Sequence, residues 1–142
     1  MSSMPTIKSR EITIAPEVPI SKTMKFWEGL RQGKIFATRC TECGKVYFPP
    51  NTDCAECLLP DLEWIELTGE AEVETFTHVV VRPTTFQQYK PYTVAIGKFS
   101  NGVKVLAWLT GFKLSEIKVG LKIKLTAKTL PEGNPTYEFV PP

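Results

Sequence analysis

All four cysteines of the chain lie in one short stretch and form two Cys-x-x-Cys pairs. The pairs are Cys40/Cys43 and Cys54/Cys57, with ten residues between them. A Cys-x-x-Cys turn brings two sulfurs onto one metal, and zinc prefers four thiolates in a tetrahedron. Two such knuckles on neighbouring short hairpins make a zinc ribbon, so the spacing predicts one structural Zn²⁺. Iron remains an alternative, because a four-cysteine site can also hold it.

The residues suggest no catalytic chemistry. Four sulfur ligands leave no open position on the metal for water or substrate. His78 is the single histidine, and its place in mid-strand between apolar neighbours favours a structural role. Glu70, Glu72 and Glu74 alternate along one strand and therefore share a solvated face. No nucleophile elbow or phosphate-binding loop motif is present. We therefore predict that the protein is not an enzyme.

The segment RPTTFQQYKPY is a second candidate site. It contains Arg82, Phe86, Tyr89, Lys90 and Tyr92 in a loop that leaves a long strand. Aromatic side chains interleaved with cations can stack a base and hold a phosphate. The alternatives are a loop that only covers the end of a barrel, or a protein interface.

The elements that position these residues are mainly β. Alternation begins at Leu62 and continues into a long strand, followed by a hairpin centred on Asn101-Gly102, a short helical break and two further strands. We predict a type I′ turn at Asn101-Gly102, which would place Gly97 opposite Leu106. Five strands in this order fit an OB-type barrel, whose capping helix falls at the helical break.

The front of the chain combines an arm, a helix and the ribbon. Residues 1–20 contain three prolines and predict an extended arm. A short helix should follow, with Ser21 as its N-cap and with Met24, Trp27 and Leu30 on one face. Phe26 adds apolar bulk, so the helix should pack on the ribbon or on a partner. The predicted domains are 1–36 (arm and helix), 37–62 (zinc ribbon) and 63–142 (OB fold).

Composition indicates a globular protein of 142 residues, with 42% hydrophobic and 23% charged residues. No apolar run approaches the ~20 residues of a membrane span. The N-terminus lacks a basic head followed by an apolar run, so we expect a cytoplasmic protein with reduced thiols. The net charge is +2 but uneven, because residues 61–74 carry six acids and residues 113–128 carry five lysines. These runs suggest either two solvated strand faces or a basic face for phosphates.

From about residue 24 onward the chain resembles one known family. The matching pieces occur in the family's order: FWEGLRQGKI (Phe26 to Ile35), CTECG, FPP, CAEC, the run around Trp64 and Gly69, PYTVA and VGLKIKL. The family has an N-terminal rubredoxin-like zinc ribbon and a C-terminal OB fold. It was long catalogued as a domain of unknown function and is now described as acyl-CoA-associated.

The resemblance implies an accessory scaffold rather than a free enzyme. Members of the family occur with thiolases, and one archaeal type bridges a thiolase and 3-hydroxy-3-methylglutaryl-CoA (HMG-CoA) synthase. By this likeness the chain would bind thiolase-like and HMG-CoA synthase-like enzymes and help to hold the CoA portion of an acyl-CoA. We predict the contacts at Phe26, Trp27, Phe86, Tyr89 and Tyr92.

A different class of function is also compatible with the elements. Zinc ribbons and OB folds both recur in proteins that bind single-stranded nucleic acid. A protein that binds along a phosphate backbone is expected to carry a large excess of positive charge. The net charge of +2 therefore counts against nucleic-acid binding. We therefore place nucleic-acid binding second to the scaffold hypothesis.

Overall fold

The computed structural model describes residues 5–10, 12 and 14–142. The described part of the N-terminal arm up to Pro19 is exposed and has no helix or strand, as predicted, while residues 1–4, 11 and 13 of the arm lie outside the description. A 3₁₀ turn, Ser21–Thr23, leads into the helix α1, Met24–Arg31. Among the helices of the described residues, 5–10, 12 and 14–142, none has the length and apolar character that crossing a membrane requires.

Helix α1 buries a different face from the predicted one. Phe26, Gly29 and Leu30 are buried, whereas Met24 is exposed. The prediction of Ser21 as N-cap is wrong, because the extra 3₁₀ turn moves the start of α1 and makes Thr23 its N-cap. The buried stripe contains Phe26 because that ring packs against the Phe48 ring of the ribbon and the Tyr137 ring of the barrel.

A three-stranded antiparallel sheet follows the helix. Its strands are β1 (Phe36–Cys40), β2 (Val46–Tyr47) and β3 (Leu62–Glu66), in the order β2-β1-β3. Strand β1 pairs with β3 over its whole length, from Phe36 opposite Glu66 to Cys40 opposite Leu62. The predicted domain boundary between residues 62 and 63 lies inside β3.

Five strands then close into a barrel, which confirms the predicted fold class. They are β4 (Glu70–Val79), β5 (Tyr92–Phe99), β6 (Lys104–Leu109), β7 (Lys122–Thr129) and β8 (Pro135–Val140). The barrel order is β4-β5-β6-β8-β7. The predicted helical break between the third and fourth barrel strands is the 3₁₀ turn Leu114–Glu116.

The β5–β6 hairpin has a different turn from the predicted one. Within the described chain the single non-glycine residue with positive φ is Leu58, so Asn101 does not take the conformation that a type I′ turn requires. Instead Gly102 alone has φ +86°, and the Asn101 side chain accepts a hydrogen bond from the Val103 amide. The register shifts by one residue, and Gly97 lies opposite Val105.

The helix, the ribbon and the barrel share one hydrophobic core. Phe26 and Leu30 from α1 belong to the same buried cluster as Ile123 and Phe139 of the barrel. The Tyr137 ring of β8 lies 5.1 Å from the Phe48 ring and 6.3 Å from the Phe26 ring, between centroids. This aromatic contact joins the barrel to the front of the chain.

The acidic and basic runs of the sequence become cross-strand partners. Strand β4 pairs with β7, with Glu70 opposite Lys124 and Glu72 opposite Lys122. The Lys122 ammonium forms an ion pair with the Glu72 carboxylate. This pairing supports the interpretation of the two runs as solvated strand faces.

Candidate metal centre and apolar groove

The four cysteine sulfurs form a compact cluster in the ribbon. All four Sγ atoms lie within 4.8 Å of one another. The Cys40–Cys57 sulfur distance is 4.0 Å and the Cys43–Cys54 distance is 3.6 Å. A tetrahedron with Zn–S bonds of ~2.3 Å has sulfur–sulfur edges of about 3.8 Å, so the donor set fits one metal ion of this size.

The two knuckles have matching backbones. The Gly44 amide donates to the Cys40 carbonyl at 3.0 Å, and the Leu58 amide donates to the Cys54 carbonyl at 2.9 Å. Gly44 and Leu58 occupy equivalent positions, with φ of +73° and +56°. Glycine adopts this conformation freely, whereas in leucine it destabilises the folded state by roughly 1–2 kcal/mol. The second knuckle is therefore the strained one.

The thiols of the cluster differ in how readily they ionise. A hydrogen bond from the Tyr47 hydroxyl lowers the pKa of the Cys54 thiol to about 6. The interaction with the Cys43 thiol raises the pKa of Cys57 to about 12. Neighbouring thiolates repel one another, so they cannot all ionise by themselves. A divalent cation at the centre removes this repulsion, which is the electrostatic reason that such clusters bind metals.

The loop between β4 and β5 carries an aromatic cluster. The Tyr92 ring stacks on the Trp108 ring of β6, with centroids 4.2 Å apart and planes 10° from parallel. Tyr89 contacts Trp108 edge-on at 5.7 Å, and Phe86 lies 6.4 Å from Trp108. The sequence-predicted aromatic residues thus converge on one tryptophan. Trp108 was missed because it lies 16 residues beyond Tyr92 and meets it only through the register of β5 with β6.

The rings of Phe86, Tyr89 and Trp108 border a groove of about 540 Å³ on the barrel, whereas Tyr92 lies outside its lining. Strands β6 and β8 are parallel partners at the single pair Leu109–Phe139, and the groove lies along both strands. The lining residues come from the β4–β5 loop, β6, the β7–β8 hairpin and β8: Phe86, Tyr89, Leu106, Ala107, Trp108, Lys128, Leu130, Pro131, Thr136, Tyr137 and Glu138. This is the side of an OB fold, between its first and last hairpin loops, that commonly binds ligands.

The walls of the groove are mostly apolar. Leu106 is 62% exposed there, although it lies in mid-strand. The Lys128 ammonium lies 3.2 Å from the Glu138 carboxylate, so the cation and the anion of the groove pair with each other. Neither Leu106 nor the β7–β8 turn was singled out from the sequence, because the pairing of distant strands brings them together.

The other predicted contact residues lie in different settings. Phe26 is 3% exposed, and its ring lies 5.8 Å from the Phe48 ring between centroids, so the helix packs on the ribbon, the first of the two predicted alternatives, and this ring is not exposed to a partner. Trp27 is half-buried, and its indole N–H donates to the Thr23 hydroxyl at 3.3 Å. Lys90 is exposed, while Nε and Nη1 of Arg82 are buried and have no hydrogen-bond partner among the described residues.

His78 has the structural setting that the sequence predicts. Its Nδ1 lies 3.0 Å from the Thr93 hydroxyl. Thr93 is 5% exposed on the neighbouring strand, so this hydroxyl has no open approach for a substrate. The pair holds β4 against β5.

Comparisons with known proteins cover most of the chain. Residues 27–63 match the family model of the ChsH2 rubredoxin-like zinc ribbon domain, and residues 64–128 match that of the ChsH2 C-terminal OB-fold domain. The DUF35 domain-containing scaffold protein of Pyrococcus furiosus is 30% identical over 109 residues, which cover 76% of this chain and 79% of that protein. The chain belongs to the DUF35 family.

Two further comparisons extend the likeness of this DUF35 chain. The DUF35 domain-containing scaffold protein of Methanocaldococcus jannaschii is 28% identical over 69% of this chain and 70% of its own length. A solved structure described as an Ltp2-ChsH2(DUF35) aldolase superposes with a TM-score of 0.74, covering 89% of this chain and 98% of that chain. Its sequence identity is 21%, so it bears on the fold alone.

Proposed function

We propose that the chain is a non-catalytic scaffold subunit that binds enzymes of acyl-CoA metabolism, of the thiolase and HMG-CoA synthase types. The observation that carries the proposal is the apolar groove, where Leu106 is exposed in mid-strand beside an aromatic cluster, because exposed apolar patches commonly mark protein interaction sites. Relatives named as scaffold proteins support the same class of function. We further propose that the cysteine cluster holds one structural Zn²⁺.

We further propose that the groove holds the pantetheine part of a CoA molecule. Pantetheine is a narrow chain with apolar and amide segments, which suits mostly apolar walls with a few polar groups. Phe86 and Tyr89 border the groove beside Trp108, and the Lys128–Glu138 pair supplies polar groups. The proposal therefore places an acyl-CoA, handed between partner enzymes, along this groove.

The alternative, binding of single-stranded nucleic acid, finds less support. Trp108 and Tyr92 stack on each other, which occupies one face of each ring. Among the groove residues Lys128 is the single cation, and it is paired with Glu138. A strand of phosphates needs a row of unpaired cations. Oligonucleotide binding at two salt concentrations separates the alternatives, because phosphate-dependent binding falls steeply with salt.

The test is affinity purification from the native host with three baits. The baits are the unaltered protein, Leu106→Glu in the groove, and Val119→Glu as the matched control. Val119 is 67% exposed and lies outside the groove, so both variants add the same charge at an exposed aliphatic position. We expect a thiolase-type or HMG-CoA synthase-type enzyme with the unaltered and control baits, and its loss with Leu106→Glu. Eluates without any acyl-CoA enzyme would contradict the proposal.

A further inference from the structure

Tyr47 bridges the two halves of the ribbon. It lies on β2, directly after the first knuckle, yet its hydroxyl reaches the second knuckle. The oxygen accepts a hydrogen bond from the Ala55 amide at 2.9 Å and lies 3.3 Å from the Cys54 sulfur. A metal-bound thiolate carries no proton, so the Tyr47 hydroxyl must be the donor in the contact with sulfur.

The second knuckle has a particular need for such a bridge. Leu58 has φ of +56°, a conformation that is unfavourable for leucine. Because Leu58 is 81% exposed, packing of its side chain does not offset this strain. The first knuckle has Gly44 at the same position and has no such strain. The Tyr47 hydroxyl is a side-chain contact that ties this strained knuckle to β2.

We propose that Tyr47 is a positioning residue of the metal centre, whose hydroxyl holds the strained second knuckle in its metal-binding shape and so slows metal loss. Outer hydrogen-bond partners of metal ligands commonly change metal affinity by roughly 10–100-fold. Tyr47 acts on Cys54 through its hydrogen bond and does not itself touch the metal. The inference rests on the proposed metal centre.

The experiment measures the rate at which a chromogenic chelator removes Zn²⁺ from the purified full chain. Tyr47→Phe keeps the ring and removes the hydroxyl, and we expect release about tenfold faster. Leu58→Gly removes the strain without touching the sulfur, and we expect release a fewfold slower. The double variant should return towards the original rate. Tyr89→Phe is the matched control, because that ring lies in the β4–β5 loop beside Trp108.

A spectroscopic readout separates positioning from general stability. In the Co²⁺-loaded chain, loss of a hydroxyl donor to one thiolate should shift the sulfur-to-cobalt charge-transfer band of Tyr47→Phe, whereas Leu58→Gly should leave it unchanged. Equal release rates and equal bands in Tyr47→Phe and the unaltered chain would overturn the role of Tyr47. A chain that takes up neither ion would instead contradict the metal centre itself.

Discussion

Trp108→Ala should release the β4–β5 loop from the barrel while leaving the barrel folded. Phe86 and Tyr89 are the loop rings that contact Trp108, at 6.4 and 5.7 Å between centroids. Aromatic contacts of this kind contribute about 0.5–1.5 kcal/mol each, so losing both weakens loop closure by about 1–3 kcal/mol. The equilibrium between closed and open loop should therefore shift towards opening by roughly 5–150-fold.

Chymotrypsin is the suitable probe of this opening, because it cleaves after Phe86 and Tyr89. Trypsin would report nothing, since Arg82 and Lys90 each precede a proline. When opening is fast relative to cleavage, the cleavage rate follows the open population. Trp108→Ala should therefore be cut in the loop at least fivefold faster than the unaltered chain, by the lower bound above.

Trp64→Ala is the control for the loss of a tryptophan. Trp64 lies on β3 and contacts Phe36, far along the chain from the loop. Its removal should leave the loop cleavage rate unchanged. A Trp108→Ala cleavage rate within twofold of the unaltered chain would refute the view that Trp108 organises the candidate binding loop.

Three further outcomes are expected. Gly97→Ala should lower the urea unfolding free energy by about 1–3 kcal/mol, because the added Cβ would lie 2.6 Å from the ring of the buried Phe139; an unchanged value would contradict this packing. Cys54→Ser removes one sulfur of the cluster, so β1–β3 should lose hydrogen-exchange protection, whereas β5 and β6, which pair within the closed barrel, should keep theirs. Loss of protection from the ribbon and the barrel together would show that their shared core makes them one cooperative unit. Burial raises the pKa of Tyr137 in the folded chain above the ordinary value of about 10. The contribution of this neutral phenol to the free energy of unfolding is therefore complete below pH ~10 and is lost as the pH rises through the folded-state pKa. Urea titrations at pH 8 and 11 should accordingly show a smaller alkaline loss in Tyr137→Phe.

Several features could be predicted because their determinants are local. The two Cys-x-x-Cys turns bring their sulfurs together through a few backbone angles, and the observed sulfur cluster confirms that the four cysteines converge. Alternation along each strand predicted five barrel strands, because a half-buried strand imposes a period of two on its sequence. Resemblance added the order of the ribbon and the OB fold.

Two other features, the conformation of the β5–β6 turn and the buried face of α1, could not be predicted from the pattern of apolar and polar residues. The β5–β6 turn uses positive φ at Gly102 alone, and this single difference from the expected turn moved the register by one residue. Likewise, contacts with Phe48 and Tyr137, which are distant in sequence, bury Phe26 in the core, where the sequence had suggested a contact residue for a partner.

The sequence by itself determined that four cysteines converge and that five strands follow them, since knuckle turns and strand alternation are set by spacing over a few residues. Only the tertiary structure decided the site on the barrel. The groove exists because β6 and β8, which are distant in sequence, meet at the single pair Leu109–Phe139, and because the β4–β5 loop packs on Trp108. Such contacts depend on how distant strands pair and close, and no local spacing encodes them.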